Sequence, residues 1–265
     1  MLSSLNNASN ATIMAAIFML GASIGSFLNV CIYRIPKSES IAFPGSFCPV
    51  CKDPIPFYLN IPIISFLILL GKCKKCHTEI SVRYPIVEII TGMFAVATFI
   101  KFGLTIEALF WFVFIAILVV ISFIDIDLQI IPDILSIPGI FIFAFSPLII
   151  PDMTIMNTIA GMLAGGGSLY LVAVIYYFIR KDEGMGGGDI KLLTMIGAAT
   201  GWKGVIFTIF TSSLMGTLAG VTIMLVTQKA DSKLRIPFGP YLAAGALLYI
   251  FQGDFLIDWY FNLIS

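Results

Sequence analysis

Long apolar runs without charged residues recur along the sequence and limit what this chain can fold into. A helix that spans a membrane needs about 20 predominantly apolar residues. Seven segments meet that description: 11–33, 84–100, 105–124, 134–150, 157–179, 204–228 and 237–252. Only 11% of the residues are charged and 59% are hydrophobic, whereas soluble domains carry about 25% charged residues. The sequence therefore predicts an all-α integral membrane protein.

The positive-inside rule decides how often the chain crosses the membrane. Segment 190–202 is ambiguous, because a helix of its length reaches only about 20 Å. If it crosses and the N-terminus is outside, only Lys101 and Lys203 of the 15 Lys and Arg residues lie outside. A re-entrant loop there would move three more basic residues outside, Lys229, Lys233 and Arg235. The rule therefore favours about eight transmembrane helices with both termini outside.

The chain divides into three parts on this topology. Residues 1–33 form a first transmembrane helix, which we expect to be retained because residues 1–10 lack the basic residues of a signal peptide. Residues 34–83 form the one sizeable loop, on the cytoplasmic side, and residues 84–265 form a polytopic bundle. Within the loop, the apolar stretch 61–70 is too short to span, so we expect it at the membrane interface or against the bundle.

Four of the five cysteines form two pairs, Cys48-Pro-Val-Cys51 and Cys73-Lys-Lys-Cys76. Two Cys-x-x-Cys pairs at this separation are typical of a tetrahedral zinc site, and structural disulfides are rare in the reducing cytoplasm. The nearby lysines would lower the thiol pKa values and offset the charge of four thiolates. Redox pairs or incidental cysteines are the alternatives. Four thiolates leave no open coordination position, so the predicted zinc is structural.

Three aspartates follow the uncharged apolar run of segment 105–124 at its cytoplasmic end: Asp125, Asp127 and Asp133. Acidic side chains near membrane depth are costly and indicate a functional site. The alternative is a solvated helix end. Position alone favours neither interpretation.

A glycine-rich segment, Gly184-Met-Gly-Gly-Gly-Asp189, precedes segment 190–202. Its glycines permit close approach of another part of the chain, and Asp189 falls at a helix N-terminus, where an anion is favoured. The alternative is a flexible loop that ends in an ordinary N-cap. No pattern of a phosphate-binding loop is present.

The two acidic regions share one side of the membrane. If Asp125 and Asp189 approach each other, like-charge repulsion makes the pair hold one proton, as in aspartic proteases. One carboxylate would then activate water while the other donates to the scissile carbonyl oxygen. The only histidine, His77, adjoins the cysteines and forms no competing catalytic set.

Several motifs together resemble the type IV prepilin leader peptidases, the bifunctional prepilin peptidase/N-methyltransferases of bacterial inner membranes. The resemblance covers nearly the whole chain, and its motifs are GSFLNVCIYRIP (25–36), FCPVC (47–51), NIPIISFLILLGKCKKC (60–76), ISVRYPIVE (80–88), DIDLQIIPD (125–133) and GMGGGDIKLLTMIGAATGW (184–202).

The resemblance implies a cytoplasm-facing aspartyl protease that cleaves type IV prepilins or pseudopilins after a glycine. Such enzymes then methylate the new N-terminus with S-adenosylmethionine. The catalytic pair maps onto Asp125 and Asp189, and the cysteines map onto the zinc loop of the bifunctional members. Four further residues receive supporting roles: Asp127, Asp133, Gly186 and Gly188. The implied partners are the pilin substrates and the lipid bilayer, with no nucleic acid.

Two other function classes, a transporter and an assembly scaffold, are alternatives to the peptidase. A transporter would use the boundary carboxylates as a proton or cation relay, but no persuasive internal repeat is present. A zinc-dependent assembly scaffold would use both aspartates only as helix caps. The resemblance favours the peptidase over both. No motif in the sequence indicates where S-adenosylmethionine binds or which oligomeric state the chain adopts.

Overall fold

The computed structural model describes residues 2–181, 186–227 and 237–264. Its eight helices are α1 (Leu2–Arg34), α2 (Ile64–Ile68), α3 (Arg83–Phe102), α4 (Ile106–Leu128), α5 (Asp133–Phe143), α6 (Ile155–Arg180), α7 (Gly187–Thr227) and α8 (Gly239–Ile264). Short 3-10 turns lie at Ile35–Lys37, Phe57–Leu59 and Ser146–Leu148. No β-strand occurs among the described residues, which confirms the all-α prediction.

Five helices in the described part of the chain are long and apolar enough to cross a membrane. Many of their large apolar side chains are exposed, among them Leu163, Phe210 and Leu225. Such surfaces match a lipid environment, because lipid tails are as apolar as these side chains. The chain is therefore a multi-pass membrane protein, while the count of eight crossings stays a prediction. The basic residues Lys229, Lys233 and Arg235 used in that count lie outside the described residues.

Helix α7 contains the break that the sequence places between 190–202 and 204–228. Gly201 has φ 71° and ψ −177° inside an otherwise helical run, a conformation that glycine adopts without a steric penalty. The segment around 190–202 is therefore a helix of its own that leads directly into the next one.

Two predicted elements differ from the observed ones. The predicted span 134–150 is the short helix α5 followed by the turn at Ser146–Leu148, and Pro138 inside α5 removes a backbone donor. The predicted span 237–252 is the longer helix α8, which continues to Ile264. The apolar loop stretch 61–70 contains α2, with Leu67, Ile68 and Leu70 exposed.

The chain forms two compact units, Met1–Val120 and Ile121–Ser265. In unit 1, α1 packs closely against α3. At Gly25 of α1 there is no room for a side chain, since a Cβ would lie 2.8 Å from the Glu88 Cα atom of α3. Small residues allow such close helix packing in membranes. Unit 1 also holds the cysteine loop.

In unit 2, α7 is the central helix and contacts α5, α6 and α8. Gly161 of α6 and Gly197 of α7 meet backbone to backbone, and neither position has room for a Cβ. The last turns of α4 belong to this unit as well. Unit 2 thus contains both acidic regions that the sequence singles out.

Candidate active site and metal centre

Asp125 lies in the last turn of α4, near its C-terminal end, and is only 5% exposed. Its Oδ2 atom accepts a hydrogen bond of 2.9 Å from the backbone N–H of Gly239, the first residue of α8. The first N–H groups of a helix have no partner within the helix and carry a partial positive charge. The start of α8 therefore stabilises the Asp125 carboxylate in a fixed position.

Asp189 lies in the first turn of α7, and its N–H donates to the Gly186 carbonyl at 3.2 Å. Its side chain is half-buried and interacts electrostatically with the Asp125 carboxyl group. Both predicted catalytic acids therefore lie in unit 2, close enough for their carboxyl groups to interact electrostatically.

The glycine-rich segment supports this approach at one particular residue. A Cβ on Gly188 would lie 2.8 Å from the Ile131 Cβ atom, whereas one on Gly187 would meet nothing within 4 Å. A Cβ on Gly186 would make an ordinary contact of 3.9 Å with Asp189 Oδ2. Of these three glycines, only Gly188 thus occupies a position where the packing leaves no room for a side chain. Gly184 and Met185 lie outside the described residues.

The other two predicted acids lie at the surface of this site. Asp133 begins α5, and its Oδ1 atom pairs with Lys191 Nζ of α7 at 2.6 Å. The Asp133 side chain remains 59% exposed. Asp127 is exposed in the last turn of α4. Asp133 therefore links α5 to α7, in agreement with a supporting role.

Sequence reasoning missed Gly239. Glycine before a proline at a helix start is common, and nothing local marks its N–H as a partner for Asp125. Only the folded structure, in which the start of α8 reaches the end of α4, reveals the contact.

The four predicted metal ligands form one cluster in unit 1. All four sulfur atoms lie within 4.8 Å of one another, with Cys48 and Cys76 separated by 3.8 Å and Cys51 and Cys73 by 3.9 Å. Zinc–sulfur bonds near 2.3 Å in a tetrahedron place neighbouring sulfurs about 3.8 Å apart. The cluster therefore fits a tetrahedral metal ion such as zinc.

Both cysteine pairs are built by the same turn. Lys52 N–H donates to the Cys48 carbonyl at 2.9 Å, and His77 N–H donates to the Cys73 carbonyl at 3.0 Å. Lys52 and His77 have φ values of 60° and 56°, in the left-handed region that favours glycine. His77 is thus a turn residue, as its sequence position suggests.

The protonation of the thiols also fits a cation site. A hydrogen bond with the Thr78 side chain is the largest cause that lowers the pKa of Cys76 to about 6. A backbone hydrogen bond from Cys51 lowers the pKa of Cys48. The Asp53 backbone lowers the pKa of Cys51, but burial and the neighbouring thiols outweigh it and raise that pKa to about 11. Four close thiolates need a metal ion to be ionised together.

Two family models match this chain. Residues 19–102 match the model described as the bacterial peptidase A24 N-terminal domain, and residues 112–221 match the model of the type IV leader peptidase family. Protein relatives align over most of the chain. One from Stutzerimonas stutzeri is 37% identical over 89% of both chains. This chain belongs to the type IV leader peptidase family.

Other members of the leader peptidase family align similarly. The relative from Pseudomonas aeruginosa is 35% identical over 89% of both chains, and that from Aeromonas hydrophila is 32% identical over 92% of both. All three relatives are named prepilin leader peptidase/N-methyltransferase. No solved structure matches the chain. These names give no support to the transporter alternative.

Proposed function

We propose that the chain is an aspartyl endopeptidase that removes the leader of type IV prepilins or pseudopilins after a glycine and then N-methylates the new N-terminus. The observation that supports it most directly is the electrostatic interaction between the Asp125 and Asp189 carboxyl groups, which both lie in unit 2. Family membership and the names of the relatives agree with it. The distribution of basic residues supports a reaction at the cytoplasmic face of a bacterial inner membrane.

Two neighbouring carboxyl groups can perform the hydrolysis. The ionised acid takes a proton from water while the water oxygen attacks the scissile carbonyl carbon. The protonated acid gives its proton to the carbonyl oxygen, and a tetrahedral diol forms. The C–N bond then breaks: the leaving amine takes the proton that the first acid received, and the second acid takes a hydroxyl proton from the diol as the new carboxyl group forms. Each acid thus returns to its starting protonation state.

The hydrogen bond from Gly239 makes Asp125 the better candidate for the ionised acid. Hydrogen bonding to a carboxylate and the positive end of a helix both favour the charged form. Asp189 would then carry the shared proton. Asp127, Asp133, Gly186 and Gly188 act as positioning residues in this proposal.

Substitution of the two acids tests the peptidase. We expect Asp125→Asn and Asp189→Asn to insert into membranes normally and to lower the rate of prepilin cleavage about 100-fold or more, because general acid–base catalysis contributes that much. The exposed Asp152→Asn is the matched control and should cleave as wild type does. Normal cleavage by either catalytic variant would remove that aspartate from the mechanism, and an active purified protein excludes the scaffold alternative.

The metal and the methyl donor belong to the second activity. The four cysteines would hold a structural zinc ion, which supplies no open position for substrate. S-adenosylmethionine with a labelled methyl group, added together with cleaved pilin, should place label on the new N-terminal amine. Cleavage without any transfer of label would limit the chain to the peptidase activity.

A further inference from the structure

None of the residues proposed for the peptidase site lies in unit 1, which contains the motif at 80–88. Asp125, Asp189 and Gly239 all lie in unit 2, and the leader peptidase model begins at residue 112. The proposed function nevertheless includes methyl transfer. Unit 1 is therefore the candidate location of the binding site for the methyl donor.

We propose that the cavity of unit 1 binds the methyl donor S-adenosylmethionine, with Glu88 compensating the positive charge of its methionine part. This inference rests on the proposed methyltransferase function and names the site for it. The cavity lies between α1, α3 and the cysteine loop, and it measures about 740 Å³. Sites for small molecules and cofactors have volumes of about 300–1,000 Å³.

The walls of the cavity suit an adenosine group. Most of the lining is apolar, and it includes the aromatic rings of Tyr33, Phe47, Phe66 and Tyr84. Aromatic side chains offer large flat surfaces on which a purine ring can stack. The apolar lining alone would fit many ligands, so the charged groups decide among them.

Glu88 is the most buried of the three acidic residues that line the cavity. It lies in α3 inside an apolar span, is 7% exposed and lines the cavity. Its Oε2 atom accepts a hydrogen bond of 2.7 Å from the Ile63 backbone N–H, a neutral donor. No ion pair compensates Glu88 among the described residues. A buried carboxylate without a cationic partner is costly, and the sulfonium and ammonium groups of S-adenosylmethionine offer the missing positive charge.

Arg34 supplies the opposite charge in the same cavity. It is 5% exposed, and its guanidinium donates to the carbonyls of Ser40 and Gly45 at 2.9 and 3.1 Å. Backbone carbonyls hold this cation without neutralising it. The ligand's carboxylate would do so, because guanidinium binds carboxylates well. The cavity thus combines an apolar aromatic wall with one buried carboxyl group and one buried guanidinium, the two groups that a zwitterionic sulfonium nucleoside would pair with.

Glu88 also stabilises the backbone at Ile63 through its hydrogen bond, and the test must separate this role from ligand binding. Ile63 has φ 63°, which is strained for a β-branched residue, and the bond to Glu88 holds it there. Glu88→Gln keeps an oxygen that can accept this bond and removes only the charge. The exposed Glu39→Gln removes the same charge in unit 1 outside the cavity lining and is the matched control.

The experiment measures binding of labelled S-adenosylmethionine to the full chain in detergent, with metal content and prepilin cleavage recorded on the same samples. Loss of the carboxylate charge should weaken binding about tenfold or more, while Glu39→Gln binds as wild type and all three proteins cleave prepilin. Ultraviolet crosslinking of the wild type should attach the label to peptides that line the cavity. This mapping decides the question even if Glu88→Gln loses metal or folds poorly.

Unchanged binding by Glu88→Gln would overturn the inference, and so would crosslinks confined to residues 121–264. Either result leaves methyl transfer itself intact. A wild type that cleaves prepilin but binds no S-adenosylmethionine would instead refute the methyltransferase half of the proposed function. The two failures are therefore distinguishable.

Discussion

Asp125 is held by a backbone amide that lies 114 residues further along the chain. The contact is tight, because a Cβ on Gly239 would lie 2.7 Å from Asp125 Oδ2 and 3.2 Å from its Cγ. Any side chain at position 239 therefore competes with the carboxylate for the same space. The position of one proposed catalytic acid thus depends on a glycine with no side chain of its own.

We expect Gly239→Ala to lower the rate of prepilin cleavage about tenfold or more, because overpacking of this size costs about 1–3 kcal/mol. The displaced carboxylate would lose its alignment with Asp189. Gly216→Ala is the control, since its Cβ would make ordinary contacts of 3.7 Å with Phe238. Cleavage assays on both purified variants check the prediction, and equal activity in the two would contradict it.

The adjacent glycines before Asp189 provide a second matched pair. Gly188→Ala would press against Ile131 at 2.8 Å, while Gly187→Ala meets open space. We expect Gly188→Ala to reduce cleavage about tenfold or more through displacement of Asp189, and Gly187→Ala to remain near wild type. If both variants lost activity equally, loop flexibility rather than packing would explain the glycine-rich segment.

At the scale of elements, hydropathy predicts most helices but not their ends. The break near residue 201 is visible in the sequence, because Lys203 interrupts the apolar run there and Gly201 lies just before it. The end of α5 at Phe143 and the continuation of α8 to Ile264 were missed. Average hydropathy over a window does not mark the residue at which a helix ends.

For the candidate sites, the sequence likewise predicted many of the residues but not all of their contacts. Asp125 and Asp189 stand out as acids beside uncharged runs, and the four cysteines stand out by their spacing. The structure gathers the four cysteine sulfurs into one cluster, and the Asp125 and Asp189 carboxyl groups interact electrostatically. Gly239 and Glu88 were not singled out, because their contacts join residues from separate elements and leave no local pattern.

The break in α7 has a testable effect on stability. Gly201 is buried at φ 71°, and a Cβ there would lie 3.3 Å from Met153 Sδ. We expect Gly201→Ala to lower the thermal unfolding temperature of the detergent-purified protein, because a non-glycine residue with such a backbone costs about 1–3 kcal/mol.

Gly167→Ala is the control for that measurement. Gly167 is an exposed position in α6 where a Cβ meets nothing within 4 Å, and alanine is the better helix former. Its unfolding temperature should stay equal or rise. A Gly201→Ala variant as stable as Gly167→Ala would show that α7 can continue through position 201 as a regular helix.

At the scale of the whole molecule, the described residues divide the candidate chemistry between two units. The acids and Gly239 belong to Ile121–Ser265, and the cysteines, Glu88 and Arg34 belong to Met1–Val120. The family models match the two parts separately, over 19–102 and 112–221. The predicted domain boundaries at 33 and 83 stay predictions. The arrangement suggests that the two proposed activities can be lost independently.

Metal removal tests that independence. Cys48 and Cys73 line the cavity of unit 1 and also belong to the sulfur cluster, so loss of the metal should deform the cavity wall. We expect Cys73→Ser combined with Cys76→Ser to lose bound zinc and to reduce methyl transfer about tenfold or more, as expected when two of four ligands of a structural site are lost. Prepilin cleavage should persist, because none of the residues proposed for it lies in unit 1.

The control for metal removal is Cys31→Ala, which replaces a buried cysteine outside the cluster. This variant should retain zinc and both activities. A cysteine variant that loses cleavage as fully as Asp125→Asn would show that the peptidase depends on the metal loop, and the division of labour between the units would then be wrong.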